Sequence, residues 1–412
     1  MSIKLRLTVL SFLQFFVWGA WLISAGDFLF KSGFSGTQIG AVYSTLGLAS
    51  LFMPSIMGII ADKYINAERL LGICHIISGV FLVVAAGNIN PSILFWIMFL
   101  NSCFYMPTIA LTNSVSYNIL VANKSDVVKE FPPIRVWGTV GFIAAMWIVD
   151  VTGWKDSNMQ FYFSAILSFI MGVYSFTMPK CIPMNKIKSD SWVSKLGLDA
   201  FVLLKEKKMF IFFMFALLLG AALQVTNTFG GQFLRSFGSS HPDSFVVKHE
   251  IFTLSISQIS ESLFILAIPF FLKRFGIKKV MFISMIAWVF RFGLFGIGDP
   301  GNGLFFLIAS MIIYGMAFDF FNISGSLYVE QETNSEIRAS AQGLFMFMTN
   351  GVGAVIGSFG SGLVVDFFTK DNVRDWPKIW MCFAGYALVV AILFAILFKH
   401  KHNPNDIQNI NH

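Results

Sequence analysis

Charged residues are scarce in this sequence: only 12% of the 412 residues are Asp, Glu, Lys or Arg, and 56% are hydrophobic. Soluble domains usually carry about 25% charged residues. The deficit excludes an ordinary soluble domain and indicates a polytopic membrane protein embedded in a lipid bilayer. A net charge of +7 remains. Because no basic stripe interleaved with aromatic residues accompanies it, nucleic-acid binding is not expected.

Metal-binding and catalytic motifs are also missing. The four Cys show no CxxC or metal-like spacing, so neither a disulfide framework nor a zinc site is predicted. The sequence lacks HExxH, GxSxG and a phosphate-cradling Gly-rich loop. A nutrient sensor would append a soluble output domain, whereas only a short polar tail follows Lys399. The chain is therefore predicted not to be an enzyme, and to need no metal or organic cofactor.

Long apolar runs dominate what is present. Each is long enough to cross a bilayer as a helix, which takes about 20 apolar residues. The predicted spans, numbered 1 to 12, are 7–30, 37–60, 70–88, 92–121, 133–152, 160–179, 209–234, 249–272, 278–298, 303–328, 338–365 and 377–398. The longest polar interval follows span 6. The sequence thus predicts two pseudo-repeated six-helix halves, 1–179 and 209–398, with a central loop at 180–208 and a tail at 399–412.

The basic residues predict the orientation of these spans. If both termini lie in the cytoplasm, most of the 29 Lys and Arg fall in cytoplasmic segments, as the positive-inside rule requires. The first span lacks an A-x-A cleavage site, so we interpret it as a retained helix. The prediction is a multi-pass protein with both termini and the central loop in the cytoplasm.

The loop after span 2 reads GIIADKYINAERLL and resembles the loop signature of the major facilitator superfamily. Asp62, Lys63 and Arg69 are predicted to form a charge network at the cytoplasmic face. The alternative is that they are ordinary loop charges placed by the positive-inside rule. The corresponding loop after span 8, IPFFLKRFGIKKV, lacks the Asp, so any network there must differ.

Ionisable and amide side chains interrupt three spans of the second half. Glu261 lies in span 8 with Gln258 one turn before it, Asp319 lies in span 10, and Gln224 and Asn227 are three residues apart in span 7. An ionised group at this depth costs about 2.5–3.5 kcal/mol or more, and usually faces water or a partner. The polar side chains of these three spans together predict a polar substrate cavity. The alternative is helix–helix hydrogen bonding, which isolated Asn and Gln residues provide.

The chemistry of these groups limits the substrate. Lysine is missing from mid-span, so strongly anionic substrates lack a clamp, whereas amides and carboxyls suit a polyhydroxylated or heteroaromatic neutral molecule. Desolvation favours the neutral form of a carboxylic acid, so Glu261 or Asp319 can exchange protons with the solvent. By contrast, Arg291, near the outer end of span 9, is expected to snorkel and to be structural.

Several stretches along nearly the whole chain carry a family resemblance: SFLQFFVWGAWL, IGAVYSTLGLAS, FPPIRVWGTVGFI, SISQISESLFILAIPFFL, GMAFDFFNISGS and RASAQGLFMFMTNG. They resemble the nucleoside:H⁺ symporter family of the major facilitator superfamily. The loop SFGSSHPDSFVVKHE and the C-terminal tail depart from it. The resemblance implies an all-α membrane protein with the major facilitator fold and twelve transmembrane helices.

The resemblance also implies a set of substrate-binding residues, of which Thr139 and Phe142 follow from the family alone. The set is Arg135, Thr139, Phe142, Gln224, Asn227, Gln258, Glu261, Tyr314, Phe318 and Asp319. Arg135 has a second interpretation, as a cap of the cytoplasmic end of span 5. The resemblance also implies that Asp319 or Glu261 carries the coupled proton.

The implied function is a proton-coupled importer of nucleosides such as uridine or adenosine. It is expected in the bacterial inner membrane, as a monomer. A sugar or oligosaccharide:H⁺ symporter of the same fold is the alternative, because hydroxyl-rich substrates suit the same polar groups.

Overall fold

The computed structural model describes residues 2–183, 198–334, 337–371 and 373–400. About half of the predicted central loop, 180–208, and nearly all of the predicted tail, 399–412, lie outside the described residues. The described chain is almost entirely helical, as hydrocarbon requires, because a helix satisfies its own backbone hydrogen bonds.

The described residues of the first part of the chain form eight helices. They are α1 (Ile3–Gly19), α2 (Ala25–Lys31), α3 (Gly36–Ser50), α4 (Met53–Lys63), α5 (Ala67–Ala86), α6 (Pro91–Ala122), α7 (Val127–Val151) and α8 (Met159–Phe176). A short 3₁₀ turn, Trp154–Asp156, connects the last two. Spans 1 and 2 of the sequence each contain two helices, because the chain turns at residues 20–24 and 51–52.

The described residues of the second part form seven helices and one two-stranded hairpin. The helices are α9 (Lys207–Ser236), α10 (Phe245–Lys248), α11 (Glu250–Ile297), α12 (Leu304–Glu332), α13 (Arg338–Met346), α14 (Ala354–Phe367) and α15 (Trp376–Leu397). 3₁₀ turns at Leu198–Lys205 and Phe237–Ser239 flank α9, and a π-helical turn, Phe347–Gly353, joins α13 to α14. The antiparallel strands β1 (Thr369–Lys370) and β2 (Val373–Arg374) precede α15.

The range of α11 contains two membrane spans that meet at a kink. Its 48 residues would measure about 72 Å at 1.5 Å per residue, more than twice the roughly 30 Å hydrocarbon thickness. Gly276 breaks the helix with φ 76° and ψ 166°. Ten helices of the described residues are long and apolar enough to cross a membrane. Counting α11 twice and adding the α1–α2 segment accounts for the twelve predicted spans.

Contacts divide the chain into two compact units. The first unit contains Met1–Leu196 and Asn227–Gln232; the second contains Gly197–Thr226 and Phe233–His412. In the first unit α1 packs on α7, and α5 packs on α6 and α8; in the second, α11 packs on α12 and α15. The division after residue 196 falls within the predicted central loop. The predicted boundaries at residues 179 and 209 themselves stay a prediction.

A buried polar cluster ties four helices of the first unit together. The Gln14 amide of α1 donates to Thr108 Oγ1 at 2.8 Å, and its oxygen accepts from Thr112 at 2.9 Å. The imidazole of His75 lies between Gln14 Oε1, 2.9 Å from Nε2, and Ser168 Oγ, 3.2 Å from Nδ1. Because these polar atoms satisfy one another, α1, α5, α6 and α8 can carry them away from water.

Glycine allows α1 and α7 to touch backbone to backbone. A Cβ atom on Gly141 would lie 2.2 Å from the carbonyl oxygen of Phe12, and one on Gly19 would lie 2.3 Å from that of Phe142. Both distances are far shorter than a van der Waals contact. Small residues at such crossings are how membrane helices approach closely.

Gly141→Ala is therefore expected to destabilise the protein by about 1–3 kcal/mol, the usual cost of overpacking. Gly385→Ala on α15 is the matched control, because nothing lies within 4 Å of its added Cβ. Thermal unfolding of both variants in detergent measures the difference. Equal stability of the two variants would show that the α1–α7 crossing accommodates a side chain.

Candidate functional site

Two carboxyl groups and a tyrosine lie together in the second unit. Electrostatic interactions link Asp319 to Glu261, and both carboxyls to Tyr314. Asp319 and Tyr314, on α12, are each 4% exposed, whereas Glu261 on α11 is half-buried. Oxygen Oδ2 of Asp319 has no hydrogen-bond partner among the described residues. A buried carboxyl oxygen without a partner is suited to accept a proton or a substrate hydroxyl.

Aromatic rings continue this cluster along α12. The Tyr314 ring stacks on Phe318 with centroids 6.4 Å apart, and Trp288 meets Tyr314 edge-on at 6.0 Å. Residues 314 and 318 are one helical turn apart, so their side chains share a face. The carboxyl pair therefore adjoins an aromatic wall, the surface that a flat heterocycle would contact.

Arg291 does not snorkel, and that expectation is wrong. Its side chain is 1% exposed, with Cζ 4.4 Å from the Phe295 ring centroid and 5.2 Å from that of Tyr314. A guanidinium Nη1 lies 3.5 Å from Ser310 Oγ. Stacking on two rings is a stabilising environment for a desolvated guanidinium. Arg291 thus packs against the tyrosine that both carboxyls approach.

A cleft with about 310 Å³ of empty space, open in part to solvent, lies beside the aromatic wall. Its lining residues are Leu219, Gly220, Leu223, Trp288, Ala317, Phe318, Phe321, Asn322, Thr349 and Asn350. Only one residue of the predicted substrate-binding set, Phe318, belongs to this lining. Sequence reasoning missed Trp288 and Asn350 as cleft residues.

The other predicted residues of the second unit are amides. Gln224 on α9 and Gln258 on α11 are both half-buried. The amide oxygen of Gln258 is buried and has no hydrogen-bond partner among the described residues. Gln258 precedes Glu261 by one turn, so the two side chains lie on one side of α11. This amide oxygen is available to a donor of a ligand.

The remaining predicted residues belong to the first unit. Arg135 is half-buried on α7 with Cζ 4.1 Å above the Phe15 ring. Thr139 follows one turn later, and Phe142 meets Trp18 edge-on at 6.2 Å. Asn227 lies in the segment of α9 that groups with this unit. The predicted set is thus divided between the two units, and its role in binding stays a prediction.

The predicted charge network is not formed by ion pairs in the described part of the chain. Asp62 and Arg69 are exposed and Lys63 is half-buried, and none of the ion pairs found joins them. Their neighbour Glu68 is instead 2% exposed, and its Oε2 accepts from the backbone N–H of Cys181 at 2.8 Å. This carboxylate holds the chain that follows α8 against the start of α5. The network itself stays a prediction.

Comparison with known proteins shows the family to which the chain belongs. Residues 1–403 match the family described as nucleoside H⁺ symporter. The chain belongs to this family. The xanthosine permease of Escherichia coli (strain K12) is 53% identical over 99% of both chains, and the nucleoside permease NupG of the same organism is 50% identical over the full length of both.

Solved structures agree with this assignment. A crystal structure of the nucleoside transporter NupG has a TM-score of 0.92 at 50% identity and covers 97% of this chain and 100% of its own. A bacterial homologue of the lysosomal transporter Spinster, at 11% identity, has a TM-score of 0.71 over 99% of this chain and 97% of its own, which shows the fold alone. The family, the major facilitator fold and the prediction of a multi-pass transporter, not an enzyme, are confirmed.

Proposed function

We propose that this protein imports nucleosides together with protons by alternating access, with Glu261 and Asp319 as the proton-exchanging groups. The observation that carries the proposal is the electrostatic coupling of these two carboxyls to each other and to Tyr314 in one unit. Two interacting negative charges repel each other, so a pair of carboxyls favours a state that holds a proton. Protonation and substrate binding then act on the same few side chains.

The substrate contacts follow from the chemistry of the neighbouring groups. The amides of Gln224 and Gln258 offer donors and acceptors for the hydroxyls of a ribose, and the Tyr314 and Phe318 rings offer faces to a base. Arg135, Thr139, Phe142 and Asn227 complete the proposed binding set. Uridine, adenosine and xanthosine are the proposed substrates; the names of the relatives support this class.

We also propose the bacterial inner membrane as the location, with both termini in the cytoplasm and a monomer as the working unit. The distribution of Lys and Arg along the sequence supports this orientation. Protons are the only coupling species proposed, and no organic cofactor or metal takes part.

Uptake by purified protein in liposomes tests the function. An inward proton gradient is expected to drive accumulation of labelled uridine, adenosine or xanthosine above equilibrium, and a protonophore is expected to abolish it. Accumulation that ignores the gradient would leave an uncoupled facilitator. Inhibition of uptake by lactose, but not by unlabelled nucleosides, would instead favour the sugar symporter.

A further inference from the structure

Two asparagine amides in the second-unit cleft have hydrogen-bonding capacity to spare. Thr349, the third polar residue of the lining, donates its Oγ1 proton to the carbonyl of Phe345 at 2.9 Å. The Asn322 side chain has no hydrogen-bond partner among the described residues. Within the described residues, the Asn350 amide nitrogen has only a sulfur contact, 3.7 Å from Sδ of Met346, and sulfur is a weak acceptor.

The backbone fixes the position of Asn350 closely. It lies in the π-helical turn Phe347–Gly353, and such turns are frequent at functional sites. A Cβ on Gly220 of α9 would lie 2.1 Å from the carbonyl oxygen of Thr349, and one on Gly353 would lie 2.5 Å from that of Leu217. The turn is therefore packed directly on the α9 backbone, which sets where residue 350 meets the cleft.

We propose that Asn322 and Asn350 bind the hydrogen-bonding edge of the nucleobase, with its face against Phe318 or Trp288, and so determine which bases the transporter accepts. Each amide offers two donors and one acceptor, and asparagine can pair with the edge of a base through both. Aromatic side chains stack on any base. This inference rests on the proposed function and extends it to the choice of base.

The surroundings of the cleft suit the base of a nucleoside. Apart from Thr349 and the two asparagines, its lining residues are apolar or glycine, which suits a flat heterocycle. Asp319 precedes Asn322 by three residues on α12 but does not line the cleft. Base choice and proton exchange are thereby assigned to different side chains.

Uridine and N3-methyluridine, used as inhibitors of uridine counterflow, test the inference. Methylation removes the central donor of the base edge, so the unaltered protein is expected to bind N3-methyluridine about tenfold more weakly, the effect of one lost hydrogen bond. In Asn322→Ala or Asn350→Ala, uridine is expected to bind more weakly while N3-methyluridine is unchanged. The ratio of the two inhibition constants should fall at least threefold toward one.

The controls separate a failure of the inference from a failure of the function. Asn118→Ala on α6 of the first unit, where the amide contacts Ser114 Oγ at 3.5 Å, should keep the ratio. If an alanine variant does not fold, Asn322→Ser or Asn350→Ser is measured in its place. If uridine is transported but the ratio is the same in all variants, the inference is overturned while the function stands. If the unaltered protein transports no nucleoside, the proposed function fails.

Discussion

Asp319→Asn is expected to lower nucleoside accumulation driven by a proton gradient by on the order of 100-fold, the effect of removing a proton-transfer group. Asparagine has nearly the same size as aspartate but can neither bind nor release the proton. Asp319 is 4% exposed, and its Oδ2 lacks a hydrogen-bond partner in the described structure, so the proton is held at a site that water barely reaches. Gradient-driven uptake into liposomes measures the loss.

Three comparisons make this result specific. Counterflow at equal pH on both sides needs no net proton movement and should be retained within about tenfold. Glu330→Gln is the matched control: this carboxyl lies on the same helix but is 54% exposed, 3.7 Å from Arg338, and its loss should change nothing. Full accumulation by Asp319→Asn, together with its loss in Glu261→Gln, would assign the proton to Glu261 alone.

Lys155→Met is expected to destabilise the protein by about 3–5 kcal/mol, the cost of leaving a buried charge without its partner. Nζ of Lys155 lies 2.6 Å from Oδ1 of Asp150, and the two side chains are 5% and 0% exposed. The pair joins the end of α7 to the 3₁₀ turn that follows it. Unfolding in detergent micelles, monitored by circular dichroism, measures the loss.

Lys378→Met provides a control at the same separation. Lys378 lies 2.6 Å from Asp375, but the side chains are 69% and 38% exposed, so solvent screens the pair and its loss should cost less than about 1 kcal/mol. Replacing both Asp150 and Lys155 by apolar residues should recover most of the stability lost in Lys155→Met. Equal losses in the two Lys variants would contradict a role for burial.

The number and length of the spans could be predicted from the sequence because the bilayer imposes both. The breaks within them could not. Residues 51–52 interrupt span 2 between α3 and α4 without any polar residue. The glycines near 347–353 predict bending or close helix contact in span 11, but not a π-helical turn. Such details depend on the neighbouring helices, which hydropathy does not describe.

The residues of the candidate site could be predicted from the sequence where their residue type is rare in membrane spans. Glu261 and Asp319 stand out in apolar runs, and the structure brings them close to each other and to Tyr314. Trp288 gives no such signal, since aromatic residues are abundant throughout this chain. Arg291 was misjudged because its burial depends on the rings of Phe295 and Tyr314, a tertiary contact that position along a helix does not reveal.

The single-residue break in α11 has a consequence for biosynthesis. The values of φ and ψ at Gly276 belong to a region of backbone geometry that is essentially restricted to glycine. Only the short basic stretch 273–279 separates the two apolar segments of α11, so we expect them to enter the bilayer together as one hairpin. Lys273, Arg274, Lys278 and Lys279 flank the break and resist translocation. In the orientation proposed above, this basic break lies on the cytoplasmic side.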